Sequence, residues 1–172
     1  MTLLQGQNFD NLFRTFDRSA FHLELKDSCH VPEEASPFEL FIKGKPDDFS
    51  WHQPWLTLVR EATQAGKSIT RVRVVTVPHC DCTRWGLSVA PLNIEAGEDL
   101  RWLPRHRAGR IDFPEHDYWL FDDNRVVCTV FEDDGRFAGG VQVSDPQVIE
   151  QCRKSHQQAW DLAIPHEQYT SM

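Results

Sequence analysis

The segment SITRVRVVTV, residues 68–77, constrains the fold of this chain more than any other stretch. Its β-branched residues and partial alternation predict a central β-strand. A helix is predicted immediately before it, with Pro54 at its start and Gly66 at its C-terminal cap. The predicted buried face of that helix consists of Trp55, Leu58, Val59 and Ala62. A helix followed closely by such a strand is typical of the layers of an α/β fold.

Two elements are predicted upstream of this pair. An apolar stripe at helical spacing predicts a first helix, and its residues are Phe9, Leu12, Phe13 and Phe16. Residues 21–25 alternate between apolar and polar side chains, which predicts a short strand. Residues 28–50 are loop-rich and hold one or two helical turns at most, ending at Gly44.

The downstream half predicts four strands and a final helix. Residues 78–99 are ambiguous, and CTRWGLSVA within them is compatible with a helix that stops before Pro91. Asp134-Gly135 predicts a hairpin turn, and the last helix is expected to begin at Asp145-Pro146 and to end at Pro165. The predicted strands cover residues 100–105, 117–121, 125–131 and 139–143.

These elements predict a single domain of the α/β or α+β class, with a mixed β-sheet, flanking helices and a C-terminal helix. A chain of 172 residues buries about 70% of its unfolded surface, which is enough for one core. Residues 1–50 are expected to form an N-terminal helix and a loop-rich segment. Residues 51–172 are expected to form the α/β core.

The composition disfavours some classes of function. The net charge of −8 disfavours direct binding to nucleic acid or to anionic membranes, because both need a cationic face. The sequence contains no run of about 18 apolar residues that would span a membrane, and its N-terminus lacks a signal-peptide pattern. Five cysteines, an odd number without an export signal, predict reduced thiols and a cytoplasmic location.

The segment HDYWLFDD, residues 116–123, carries the first candidate site. Its spacing of His116, Tyr118 and Asp123 is similar to the His-x-Lys-x-x-x-x-Asp signature of the phospholipase D superfamily. There the histidine is the nucleophile, the lysine holds phosphate oxygens and the acid orients the histidine. Here Tyr118 replaces the lysine, and one motif stands where a complete site needs two. The alternative is a core strand with solvent-exposed polar ends.

The second candidate site follows the predicted central strand, where α/β folds place ligands. Asp81, Arg84 and Trp85 offer an acid, a bidentate cation and a flat apolar surface for a small polar ligand. Arg101, in a basic stretch nearby, is a further candidate. The alternative is a surface ion pair beside a core tryptophan. Metal binding is disfavoured because Cys80 and Cys82 lack the usual Cys-x-x-Cys spacing, and nothing in the sequence brings Cys29-His30 to them.

Six segments, in order along the chain, carry a resemblance to a known family: FDRSAFHLEL, PWLTLVREATQAGKSITRVRVVTVP, DCTRWGL, NIEAGEDLRWLPR, DYWLFDD and DDGRFAGG. In these segments the chain resembles an actinobacterial family of domains of unknown function, DUF6879, whose members are often encoded beside helix-turn-helix regulators. The resemblance implies one α/β or α+β domain related to the phospholipase D-like fold, in a regulatory or secondary-metabolism setting.

The sequence therefore predicts a cytoplasmic, non-enzymatic domain that binds a small polar or anionic ligand or a helix-turn-helix regulator protein. It would act as a monomer or homodimer, without a cofactor or metal. The expected pocket consists of Asp81, Arg84, Trp85 and Arg101, with His116 and Tyr118 on the neighbouring strand. The alternative is a small enzyme. It would be a degenerate phosphodiesterase using His116 and Asp123, or a tailoring enzyme using His116 or His79 for acid–base chemistry.

Overall fold

The computed structural model describes residues 3–28, 35–133 and 136–172. Within these residues the chain forms eight strands and six α-helices. The strands are β1 Leu3–Leu4, β2 Ser19–Glu24, β3 Ser68–Val75, β4 Asp99–Pro104, β5 Tyr118–Phe121, β6 Arg125–Phe131, β7 Phe137–Gln142 and β8 Ile164–Pro165. The helices are α1 Gln7–Thr15, α2 Ala35–Ile42, α3 Gln53–Gln64, α4 Asp81–Ala96, α5 Pro146–Leu162 and α6 His166–Thr170.

These strands form one mixed sheet in the order β1-β7-β6-β5-β2-β3-β4-β8. β2, β3 and β4 run parallel to one another, and α3 and α4 supply the crossovers between them. β5 joins β2 in antiparallel pairing, and β5, β6 and β7 form an antiparallel meander. A mixed sheet with flanking helices confirms the predicted α/β class.

Helices cover both faces of the sheet. α1 and α3 pack on one face, where Leu56 contributes to the same apolar cluster as Ile69 of β3. α5 packs on the other face, where Cys152 joins Val72. α4 lies on the same face as α1 and α3, because Val75, which packs near α4, is six residues from Ile69 and points the same way. This face of the sheet, beneath α3 and α4, carries the candidate site described below.

The ambiguous segment is a long helix, and the expectation that it stops before Pro91 is wrong. α4 continues through Pro91 to Ala96 and ends where Gly97 adopts a φ of 112°. The proline ring lies on the exposed side of the helix, while Ala90 and Asn93 are buried beside it. Packing of this buried face offsets the backbone hydrogen bond that a proline removes.

Three short elements have no counterpart among the predictions. β1 pairs antiparallel with β7, and β8 pairs antiparallel with β4, so each adds two residues to an edge of the sheet. α6 follows β8 directly. Elements of two to five residues are too short to show a hydrophobic period.

The first fifty residues contribute directly to the core. β2 lies inside the sheet between β5 and β3, and Leu12 and Phe13 of α1 are buried. The predicted hairpin turn at Asp134-Gly135 lies outside the described residues. Within the described part of the chain, no helix is long and apolar enough to cross a membrane.

Candidate functional site

A cavity of about 500 Å³ lies between the sheet and helices α1, α3 and α4. This volume is in the range of small-molecule sites. Five of the six tryptophans of the chain line it, and Trp160 is the exception. The lining tryptophans are Trp51, Trp55, Trp85, Trp102 and Trp119. Trp51 and Trp55 are partly exposed and offer flat apolar surface for a ligand, whereas Trp85, Trp102 and Trp119 are at most 5% exposed.

Charged side chains of β2 and β3 form the floor of the cavity. Side chains two residues apart on a strand share a face, so His22 and Glu24 of β2 point towards α3 and α4, as do Arg71 and Arg73 of β3. The parallel register sets His22 opposite Arg71 and Glu24 opposite Arg73. Two apolar strands thus bring four polar side chains together beneath the helices.

Two carboxylates bind Arg71. Its Nε donates to Oε1 of Glu98 at 2.5 Å, and its Nη1 donates to Oε1 of Glu24. Burial opposes the charged form of Arg71, but Glu98 and Glu24 outweigh it and raise the pKa of the guanidinium. Oε2 of Glu98 accepts from Asn93 Nδ2 at 2.7 Å and from Trp55 Nε1 at 3.2 Å. Burial alone would raise the pKa of Glu98, but Arg71 and these donors hold it below its usual value.

Arg73 is less completely engaged. Its Nε lies 2.6 Å from Oε2 of Glu24, an ion pair without hydrogen-bond alignment. Its guanidinium carbon lies 5.5 Å from the centre of the Trp102 ring, and 26% of its side chain is exposed. Burial would raise the pKa of Glu24, but Arg73 and Arg71 hold it well below its usual range. Arg73 therefore keeps a surface towards the cavity.

Helix α4 passes directly over Arg73 at Gly86. A Cβ at this position would overlap with the Nη1 atom of Arg73. The φ of Gly86 lies outside the left-handed region, so a side chain at this position is limited by the Arg73 guanidinium and not by the backbone conformation.

Two histidines of the cavity are neutral near pH 7. The ring of His22 stacks on Trp119, with centroids 4.1 Å apart and planes at 8°. Neither ring nitrogen of His22 has a hydrogen-bond partner among the described residues, although Nδ1 lies 3.3 Å from Glu24. Burial lowers the pKa of His22. His52 lies 2.7 Å from Asn93 Oδ1, and burial lowers its pKa as well.

Asp117 lines the same cavity, immediately before β5. Its Oδ1 accepts from the backbone N–H of Leu25 at 2.8 Å. Burial raises the pKa of Asp117 to about 6 despite this bond. A carboxyl group that titrates near neutrality is suited to acid–base work.

Of the pocket predicted from the sequence, Trp85 lies in the cavity. It is 5% exposed and stacks on Trp51, with ring centroids 5.5 Å apart. Asp81 and Arg84 form an ion pair with each other at the exposed start of α4. Neither of them lines the cavity.

Arg101 and Tyr118 lie away from the cavity. Arg101 pairs with Asp99 at 3.1 Å and lies 3.7 Å from the centre of the Trp160 ring. Tyr118 is completely buried beneath α5, where its hydroxyl donates to the backbone oxygen of Cys152 at 2.7 Å. Burial raises the pKa of Tyr118. The structure therefore does not bring these two residues to Trp85.

His116 and Asp123 are both exposed and lie at opposite ends of β5. A strand of four residues keeps them roughly 13 Å or more apart, at about 3.3 Å per residue. His79, the other candidate for acid–base chemistry, is bound by Thr76 O at 3.0 Å and by the Tyr169 hydroxyl at 2.9 Å. The structure does not assemble His116 and Asp123 into one site.

The described cysteines differ in oxidation state. Cys80, Cys128 and Cys152 are free thiols, whereas Cys82 is disulfide-bonded, so the expectation of reduced thiols is wrong for Cys82. Within the described ranges, no group of three or more His, Cys, Asp or Glu side chains is placed to hold a metal ion. Cys29 and His30, considered as metal ligands with Cys80 and Cys82, lie outside those ranges.

Sequence reasoning missed the charged floor of the cavity. The available signal was the alternation in HLE and TRVR, where charged residues occupy every second position of strands that are otherwise apolar. Such a pattern in a strand predicted to be central marks polar side chains that must find partners inside.

Fold and site together define an α/β domain with an aromatic cavity above a buried cluster of arginines and glutamates. The sequence matches the family model described as "Domain of unknown function (DUF6879)" over residues 7–171. The chain therefore belongs to this family, which confirms the resemblance found in the sequence. No curated protein matches the chain.

Proposed function

We propose that this domain binds a small molecule in the cavity between the sheet and helices α1, α3 and α4, and releases it unchanged. The observation that carries the proposal is an internal volume of about 500 Å³ lined by five tryptophans. Burying flat apolar surface supplies affinity, and the charged floor supplies orientation. This is the binding role predicted from the sequence, in a cavity that contains Trp85 of the predicted pocket but not Asp81, Arg84 or Arg101.

The setting of this binding is also part of the proposal. We place it in the cytoplasm of an actinobacterium, in a regulatory or secondary-metabolism role. The net charge of −8 would suit a protein partner with a basic face, such as a helix-turn-helix regulator. Ligand occupancy would then be the signal passed to that partner.

A second candidate function is acid–base catalysis in the same cavity. It is favoured by Asp117, whose carboxyl lines the cavity and has a pKa of about 6. The geometry gives less support to the degenerate phosphodiesterase, because His116 and Asp123 lie at opposite ends of β5.

Thermal unfolding of the purified protein against a library of small metabolites tests the proposal. A ligand at a hundred times its dissociation constant adds about 2.7 kcal/mol of stability, which gives a clear shift in Tm. Binding in the cavity should also change the tryptophan fluorescence. We expect the fluorescence change to persist in Trp160→Phe, whose ring lies outside the cavity, and to diminish in Trp85→Phe.

Recovery of the ligand separates the two candidate functions. Unchanged ligand after long incubation supports a binding domain. If the wild type consumes the ligand and Asp117→Asn does not, the protein is an enzyme and the proposed binding function is wrong. If no compound in the library shifts Tm, both candidate functions lose their support. Binding of a protein partner then becomes the leading candidate.

A further inference from the structure

We infer that the cavity takes a planar ligand bearing a carboxylate, with the carboxylate bound by Arg73 and the plane packed against tryptophan rings. The inference rests on the proposed function, since it names the class of molecule that the same cavity binds. It follows from a comparison of hydrogen-bond donors and acceptors on the cavity floor.

The acceptors of the charged cluster are used within the protein. Oε1 of Glu98 accepts from Arg71, and its Oε2 accepts from Asn93 and Trp55. Oε1 of Glu24 accepts from Arg71, and its Oε2 faces Arg73 Nε at 2.6 Å. Each of the four carboxylate oxygens therefore already faces a donor.

The donors are not all used. A guanidinium carries five N–H donors, and Arg73 directs only its Nε towards Glu24. In the part of the chain that the structure describes, the Nη1 and Nη2 groups of Arg73 have no hydrogen-bond acceptor, although a quarter of the side chain is exposed at the cavity. Nε is the atom of Arg73 that is buried without a hydrogen-bond partner, whereas the Nη groups are not buried in this way and can take an acceptor from a ligand. A ligand that complements this floor should therefore bring acceptors.

The form of the donor group selects the form of the acceptor. The two Nη groups present parallel N–H bonds, which match the two oxygens of a carboxylate in a bidentate pair. Nε2 of His22 is a further polar atom at the cavity without a partner among the described residues. Arg73 is more exposed than Arg71, with 26% of its side chain accessible against 9%, so Arg73 is the floor cation that an incoming anion meets.

The walls select a flat molecule. Trp51 and Trp85 stack with their planes at 30° and line the cavity, and Trp102 lies beneath the Arg73 guanidinium. Aromatic rings prefer offset stacking with other flat surfaces. A carboxylate attached directly to an aromatic ring would meet both requirements in one molecule.

Matched ligands test the inference. Isothermal titration calorimetry compares benzoate and naphthoate with their neutral carboxamides and with the corresponding arylmethylamines, which are cationic. We expect each carboxylate to bind the wild type at least about tenfold more tightly than its carboxamide, because charge-assisted pairs exceed neutral ones. The arylmethylamines should bind more weakly than either.

Variants of the protein test whether Arg73 causes the preference for a carboxylate over a carboxamide. In Arg73→Met the ratio of carboxylate to carboxamide affinity should fall to about one, while the carboxamide keeps its affinity. Arg73→Lys keeps the positive charge but lacks the planar guanidinium, so its ratio of carboxylate to carboxamide affinity should be intermediate. Arg84→Met, which removes an exposed arginine outside the cavity, should leave the ratio at the wild-type value.

The outcomes distinguish the inference from the function on which it rests. If the carboxamides or amines bind as tightly as the carboxylates, the ligand class is wrong and the cavity still binds small molecules. If the ratio is high but unchanged in Arg73→Met and Arg73→Lys, Arg73 is not the anchor. If no compound of any charge binds, the proposed function fails and the inference fails with it. The wild-type comparison decides the class even if a variant does not fold.

Discussion

Arg71 and Glu98 form a buried ion pair, with Nε and Oε1 2.5 Å apart, between the middle of β3 and the residue that precedes β4. Glu98 is 2% exposed and Arg71 is 8% exposed. Gly97 ends α4 in a left-handed conformation that turns the chain so that Glu98 points back under the helix. This pair fixes the floor on which Arg73 and the proposed ligand lie.

Removing the arginine of this pair should be costly. We expect Arg71→Met to lower the free energy of unfolding by about 3–5 kcal/mol, because Glu24 and Glu98 then remain buried without their main counter-charge. Chemical denaturation at pH 7 measures the change directly.

Arg84→Met is the matched control for this substitution. Arg84 also pairs with a carboxylate, that of Asp81, but both side chains are more than half exposed. We expect a loss of less than about 1 kcal/mol, as for other surface pairs. Equal losses in the two variants would mean that the Arg71 cluster is solvated in solution.

Gly86→Ala should show how firmly Arg73 is held in place. Alanine normally favours a helix over glycine by about 1 kcal/mol, but a Cβ at Gly86 overlaps with Nη1 of Arg73. We expect Gly86→Ala to destabilise the protein by about 1–3 kcal/mol, as in other overpacked sites. Displacement of Arg73 should also weaken carboxylate binding in the calorimetric titration above.

Gly109→Ala provides the comparison. A Cβ at Gly109 meets no atom within 4 Å, and its φ is not in the left-handed region. We expect its Tm and ligand affinity to equal those of the wild type. A Gly86→Ala variant with raised Tm and normal affinity would show that Arg73 moves aside freely and does not hold a fixed position.

The regular elements were predictable because their signals are local. β3 and α3 carry their hydrophobic periods within ten to twelve residues, and the observed bounds agree closely with the predicted ones. The path of α4 beyond Pro91 was not predictable in this way. It depends on packing of Ala90 and Asn93 against other elements, which the segment itself does not encode.

The site was less predictable because it depends on pairing between distant segments. Glu24 and Arg71 are 47 positions apart in sequence, and only the parallel register of β2 and β3 brings them together. The segment HDYWLFDD shows a related effect. A strand alternates faces at each residue, so Asp117 and Trp119 face the cavity while Tyr118 faces α5. Tyr118, the central residue of the predicted motif, therefore lies in the apolar cluster beneath α5 and not in the cavity.

Tyr118 should therefore act on stability and not on binding. Its hydroxyl donates to Cys152 O and lies 2.9 Å from Ser155 Oγ. We expect Tyr118→Phe to cost about 1 kcal/mol of unfolding free energy, because Ser155 can still donate to Cys152 O at 3.1 Å. Carboxylate affinity should be unchanged, whereas Trp119→Leu should weaken it. If Tyr118→Phe loses carboxylate affinity but no stability, Tyr118 takes part in ligand binding, as the sequence predicted.

Asp117 should give the protein a distinctive dependence on pH. Its pKa is about 6 in the folded chain and about 3.8 without burial. The folded state therefore favours the protonated carboxyl. The stability that this provides is complete below pH 3.8 and is lost as the pH rises through 6. The full shift corresponds to roughly 3 kcal/mol as an upper value, at about 1.4 kcal/mol per pKa unit.

Asp117→Asn removes the unfavourable burial of an ionised carboxyl group at high pH. It keeps a side-chain oxygen that can accept from the Leu25 N–H. We expect the variant to exceed the wild type in stability by about 1–3 kcal/mol at pH 8, with the difference shrinking as the pH falls from 7 to 4. Urea denaturation across this range measures it, with Asp112→Asn, an exposed aspartate, as the control that should show no such trend. A difference that does not vary with pH would mean that Asp117 is solvated. A variant that is less stable at pH 8 would mean that the fold uses the charge, and Lys26, which lowers the pKa of Asp117, would then be its partner.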